Sequence, residues 1–333
     1  MPVRSSLFAA LLVAWSIVDS RAQESTVYVS VVAKKSFTVG SANAGTGLYL
    51  QHPSGDTVWT QKGPNNIRAF GVAAHPGTAQ RVLYIASGNG LHKSTDAGKT
   101  WKITTGWRIT EVQAVSPDPQ DVKTVYLACA YGIFRSTDGC ATWTECNAGL
   151  SSTFTTCVIV DQARAGTLYC ASEGGAFMST NRGDSWSRMG LSVAGVRTIV
   201  QNPTNPDILM VGTENHGIYR STNGGKWWHK CEAGIDHPTF YSIVFDPQNP
   251  ATIYAAGYVT GIYKSTNGGD SWKRVNAGLE VLTFHSIAVD PRNSACVYAA
   301  AYWGGVYRTD NAGESWRRVG LGDSQVWTVV IHP

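Results

Sequence analysis

Charge is scarce in this sequence. Asp, Glu, Lys and Arg make up only 15% of its 333 residues. A disordered chain would be richer in charge and poorer in aromatics, so disorder is excluded. Helical periodicity is absent along the chain, and with it a helical bundle. No basic run or basic–aromatic alternation is present, so nucleic acid is not an expected partner. No apolar stretch is long enough to span a bilayer as a helix, and membrane insertion is not expected. There is no C-x-x-C, G-x-S-x-G, H-E-x-x-H or EF-hand loop, so neither a metal nor a cofactor is expected. Gly98-Lys-Thr100 resembles the end of a P-loop, but Lys93 stands where that motif needs Gly. No N-x-Ser/Thr sequon occurs, because Asn202 is followed by Pro.

Abundance points the other way. There are 35 Gly, 12 Trp and 14 Tyr, and hydrophobic residues reach 43%. Many turn residues and aromatics with few charges read as all-β. At the N-terminus, Arg4, an apolar run from Leu7 to Val18 and the small-x-small step Ser20-Arg21-Ala22 form a secretory signal pattern. Residues 1–22 are therefore expected to be a cleaved signal peptide, and 23–333 one domain in a periplasmic or extracellular setting. Cleavage would remove Arg4, Asp19 and Arg21, leaving a net charge of +3. The seven Cys are expected to be buried free thiols. Cys146 and Cys231 occupy the same place in different repeats, and Cys140 and Cys146 are separated along a strand.

An octapeptide recurs along the chain. It reads Ser94-Thr-Asp-Ala-Gly-Lys-Thr-Trp101 first, and closes at Thr309-Asp-Asn-Ala-Gly-Glu-Ser-Trp316. Copies between them end at Trp143, Trp186, Trp228 and Trp272, and a worn copy ends at Trp59. The Trp spacings are 42, 42, 43, 42, 44 and 44. Each period holds an apolar run (Phe240 to Phe245), a turn (Asp246-Pro-Gln-Asn-Pro250), a second strand (Thr252 to Ala256) and a third (Gly261 to Lys264). A fourth strand starts near the Trp. Four strands in such a period make one propeller blade. Gln325 to Pro333 reads as a first strand alone, and Thr26 to Ser30 as a second strand. The expected fold is an all-β seven-bladed β-propeller, with four antiparallel strands per blade. The C-terminal strand completes the N-terminal blade and removes open edges.

The octapeptide's own chemistry is structural. Its third residue (Asp96, Asp138, Asn181, Asn223, Asn267, Asn311) can accept backbone N–H bonds within the turn. Its Gly (Gly98, Gly183, Gly225, Gly269, Gly313) supplies positive φ. Its Trp (Trp101, Trp143, Trp186, Trp228, Trp272, Trp316) covers the hairpin. Cys140 replaces the Gly in one copy and Trp227 replaces Thr or Ser in another. Both departures put the local turn geometry in question.

The octapeptide resembles the Asp-box, or BNR repeat, and the resemblance covers nearly all of the chain after residue 22. Sialidases carry the box on six blades with F-R-I-P and an arginine triad; here Trp107-Arg-Ile-Thr110 is the nearest lookalike and lacks the Pro. Xyloglucan-hydrolysing glycosidases use two such propellers in a chain about twice as long. Sortilin-type receptors use ten blades. The chain looks closest to the photosystem II assembly and stability factor family and secreted bacterial BNR-repeat proteins. That resemblance implies binding of partner proteins. It also implies a ligand face where inner-strand starts and second-to-third-strand loops meet, with the octapeptides at the opposite rim.

Comparing repeats locates candidates for that face. One inner-strand position reads Phe70, Glu111, Thr156, Arg197, Tyr241, His285 and Trp327 around the ring. Two places later it reads Val72, Gln113, Val158, Ile199, Ile243, Ile287 and Val329, which is core. The diverse first set is the candidate ligand surface. Loop residues Asn89, Tyr131, Glu173, Glu214, His216, Tyr258, Tyr302 and Trp303 extend it. So does an insertion from Val31 to Gly45 that carries Lys34 and Lys35. Aromatic faces with a few carboxylates would suit a glycan. Were Glu111 to lie near Arg197, an ion pair is the expected reading rather than an acid–base device. A glycosidase needs two carboxylates about 5–10 Å apart, and Glu111, Glu173, Glu214 and Asp236 are the candidates. The expected function is a monomeric scaffold for a protein or glycan ligand, with a glycoside hydrolase or lyase as the alternative.

Overall fold

The octapeptide's hydrogen bonds explain why every blade turns at the same place. Ser94 Oγ donates to Asp96 Oδ1 at 2.8 Å and accepts from Gly98 N at 2.9 Å. Thr100 donates both its N–H and its hydroxyl to the Asp96 carboxylate. These donors hold the Asp96 carboxyl far below the usual carboxylate range. Five further copies repeat the first two bonds. Two consecutive residues, the fourth and fifth, take left-handed backbone in each copy, as in Ala97 with Gly98 and Gly268 with Gly269.

Neither departure breaks the turn. Cys140 adopts φ +74° and donates its N–H to Ser136 Oγ at 2.8 Å, as Gly does elsewhere. Trp227 loses the hydroxyl bond but keeps its N–H on Asn223 Oδ1 at 3.0 Å. The turn is set by backbone donors, which any residue supplies.

A computed structural model describes residues 25–36, 45–52 and 57–333. The signal peptide expected over 1–22 lies outside these. The described residues contain no helix and form seven four-stranded antiparallel sheets. The fold is a seven-bladed β-propeller. Blade I takes Ser324–His332 as its inner strand, then Thr26–Lys34, Gly47–Gln51 and Trp59–Gln61 outward. Inner strands of blades II to VII are Ala69–Ala74, Val112–Pro117, Thr155–Val160, Val196–Gln201, Phe240–Phe245 and Phe284–Asp290. Each packs beside the next, and Ser324–His332 closes the ring between blades VII and II. Residues Val31–Lys34, expected in an insertion, instead continue the second strand of blade I.

The second strand of each of blades II to VI is buried along its whole length. Core clusters lie between blades and run around the ring. Hydrogen bonds cross the same seams. Lys93 Nζ donates to Gly139 O, Arg135 to Arg182 O and Lys264 to Ala312 O, each reaching the octapeptide of the following blade. Lys93 and Lys264 pass over the rings of buried Tyr84 and Tyr254. Octapeptide Trp residues reach the preceding blade: Trp143 Nε1 donates to Thr104 O, Trp186 to Cys146 O, Trp316 to Val275 O and Trp59 to Val319 O. All seven Cys are free thiols, and six are buried.

Candidate functional site

The inner strands are not regular. Each pairs with its second strand through a bulge near its start. The residue left out of register is Phe70, Gln113, Thr156, Arg197, Tyr241, His285 or Trp327 in blades II to VII and I. A bulge bends the strand and re-aims a side chain, here at the same level in every blade. Six of the seven are residues singled out by comparing repeats. Blade III needs correction: the bulge residue is Gln113, and Val115 takes the core position. Glu111 stands six places before Pro117, which ends the strand, whereas the Pro inside the turn is Pro119, six places after Gln113.

The strand-two-to-three loops meet this ring. Tyr258 N donates to Thr239 O, Tyr302 N to Thr283 O, and Glu214 N to Gly195 O. The octapeptides instead bond the turns between first and second strands, as in Ala97 N to Arg81 O and Gly268 N to Ala251 O. The two ends of the ring are thus built differently. The bulge end is called the axial face below.

Half of that face is aromatic. The His285 and Trp327 rings stack at 4.0 Å, and Tyr241 and His285 at 5.0 Å. Phe70 meets Trp327 edge-on at 5.5 Å. Loop rings add to them: Tyr258 against Tyr241, Tyr302 against His285, and Trp303 against Tyr302. Lys35 lies over Trp303 and Arg68 over Phe70. Tyr131 stands apart on blade III, with its side chain exposed.

The other half is polar. Arg197 reaches Glu173 Oε1 at 2.8 Å through one amino group and Glu214 through the other. Thr156 Oγ1 donates to Arg197 O at 3.0 Å. Glu111 pairs not with Arg197 but with Arg68 at 3.6 Å, one blade over. Glu111 also adopts φ +49° outside the strand. Asp236 is not part of the cluster. It bonds Tyr263 and Arg274, on the third and fourth strands of blade VI, outside the inner ring. Sequence reasoning missed Gln113 and Arg68. The first was legible from the Asp118-Pro119 turn; the second had no signal.

Burial holds the His285 imidazole down to about 4. Its Nε2 has no hydrogen-bond partner among the described residues. The unfolded chain takes up a proton as pH falls from about 6.5 to 4, and the folded chain refuses it. Stability is therefore full above pH 6.5 and declines toward pH 4, by on the order of 2–3 kcal/mol from this residue. His92 and His332, also lowered by burial, act in the same direction. In chemical denaturation across that range, His285→Phe is expected to flatten the decline. An unchanged slope would place the effect elsewhere.

Neutral imidazole suits stacking between Tyr241 and Trp327. No group of three or more His, Cys, Asp or Glu among the described residues is arranged to hold a metal.

No family model matches the chain. Over 170 residues it is 30% identical to the Neosartorya fischeri protein named "Probable oligoxyloglucan-reducing end-specific xyloglucanase", which covers 46% of this chain and 21% of that protein. Among solved structures it is similar to an ancestral GH74 enzyme, with TM-score 0.62 and 26% identity over 72% of this chain and 36% of that one. It is also similar to YCF48 bound to a D1 peptide, with TM-score 0.57 and 14% identity over 77% and 82% of the two chains. The chain thus spans about a fifth of the curated relative it matches.

Proposed function

We propose that this chain is an exported binding scaffold that holds a protein or glycan ligand on its axial face. One observation carries this reading: the guanidinium of Arg197 sits between the Glu173 and Glu214 carboxylates. A glycosidase needs the scissile bond in that space. The surroundings suit adhesion. Among the described residues, seven of the eleven exposed large apolar ones, Trp107, Tyr131, Phe154, Tyr258, Val259, Leu282 and Tyr302, belong to loops at this end of the ring. Apolar surface gathered at one end of a chain favours contact with a partner. The similarity to a peptide-bound YCF48 is consistent with such a role.

A glycoside hydrolase on the same face is the second reading, favoured by the 30% identity to a xyloglucanase. Reducing-end release from a polysaccharide and glycoconjugate panel separates the two. The scaffold reading expects no release from wild type, while Tyr302→Ala and Tyr258→Ala each weaken ligand capture on peptide and glycan arrays by about tenfold. Release that Glu173→Gln or Glu214→Gln abolishes, in a folded protein, would make this an enzyme. Release lost only in Glu111→Gln would do the same and move the chemistry to blade III.

A further inference from the structure

The tips of blades VI and VII form one surface. Val259 N donates to Thr283 Oγ1 at 3.2 Å and Tyr302 N to Thr283 O at 2.9 Å. Gly261 N donates to Leu282 O at 2.8 Å. Tyr258, Val259, Leu282 and Tyr302 are therefore neighbours, and each is exposed.

Val259 is the odd member. It adopts φ +56°, in a backbone region that β-branched residues avoid. The matching tip of blade V has Asn215 at φ +69°, a residue that tolerates this conformation. At 51% exposed, the Val259 side chain gains little burial in return for its strain. Strained residues of this kind gather at ligand contacts.

Two features select the occupant. His285 is stacked between Tyr241 and Trp327, and those two rings are each met at a steep angle by a further ring, Tyr258 and Phe70, so little free ring face is left as a stacking platform for a sugar. The strained tip is aliphatic, which suits an apolar side chain rather than hydroxyls. Beside Tyr241 lies the Arg197 site, where two half-exposed carboxylates share one guanidinium and leave one negative charge.

We infer that the axial face binds an extended polypeptide segment, with apolar side chains seated on Tyr258, Val259, Leu282 and Tyr302 and a Lys or Arg directed to Glu173 and Glu214. This rests on the binding-scaffold reading and narrows its ligand to protein.

The test uses the described protein on an array of random-sequence decapeptides, with a glycan array and phosphatidylcholine vesicles in parallel. Selected peptides should pair aliphatic or aromatic residues with a basic one. Val259→Asn should raise Tm by relieving the backbone while cutting peptide affinity about tenfold. A double Glu173→Gln, Glu214→Gln variant should lose the preference for Lys and Arg and keep the apolar one. Peptide binding indifferent to both variants, or selecting acidic residues, overturns the inference and leaves a scaffold. Binding to glycans or vesicles without peptides also overturns it. Binding to none of the three removes the scaffold reading as well.

Discussion

A chain ending at Asp323 is expected to lose cooperative unfolding and to aggregate. Deleting Ser324 to Pro333 removes the inner strand of blade I, which pairs with Thr26–Lys34 from Thr26↔His332 to Lys34↔Ser324. It also removes Val326 and Val329 from the core and Trp327 from the aromatic stack. Burying a side chain of this size contributes about 1.5–3 kcal/mol. Several lost together amount to on the order of 10 kcal/mol, comparable to a domain's whole stability. The deletion further exposes the inner edge of Thr26–Lys34, a template for strand addition. Size-exclusion chromatography and thermal melts check this. A monomeric truncate with an unshifted melt would show that six blades and a partial seventh suffice.

The second large effect concerns two tryptophans of the repeated turn. Trp186 is buried at 4% exposure, donates its indole N–H to Cys146 O at 2.8 Å, and its backbone N–H bonds Ala148 O. Trp186→Ala is expected to cost about 3–5 kcal/mol, since it leaves a large cavity at the seam between blades III and IV. Trp227, one position before the corresponding Trp228, is 61% exposed and stacks only on His229. Trp227→Thr is expected to change stability by less than about 0.5 kcal/mol. It also restores the hydroxyl that, in the other Asn-containing copies, accepts a bond from the Asn side-chain amide, as Ser185 does from Asn181. Equal losses in urea titrations of the two variants would refute the assignment of the seam as the source of stability.

The fold was legible because one physical unit recurs. Each octapeptide fixes a hairpin by local bonds, so its spacing alone gives blade number and strand order. The ring closure followed from Gln325 to Pro333 and Thr26 to Ser30, because each segment lacks the strands that accompany it elsewhere. Register was easier to misread. Blade III has two prolines, Pro117 and Pro119; the Asp118-Pro119 step, which parallels Asp246-Pro247 of blade VI, marks the one in the turn, and the strand pairing agrees. That two-residue slip exchanged Glu111 for Gln113. Ion-pair partners were hidden for a related reason. Arg197 meets Glu173 and Glu214 from loops of blades IV and V, and Glu111 meets Arg68 from the approach to blade II. Such choices depend on loop paths over the axial face, where no repeat constrains the chain. The left-handed backbone of Cys140 could be read from its Gly position in the repeat, whereas that of Val259 lies in a loop where no repeat and no residue type advertises it.

Pairing of Thr26 with His332 brings the two ends of the described chain side by side at the octapeptide end of the ring. Both points lie on the side away from Tyr258 and Tyr302. A tag, an anchor or a neighbouring domain joined at these points would hold the propeller from the octapeptide end and leave the axial loops facing away from the attachment. The same geometry suits immobilisation on a sensor chip through a terminus, and it allows one fused module at each end without shielding the loops that would meet a partner.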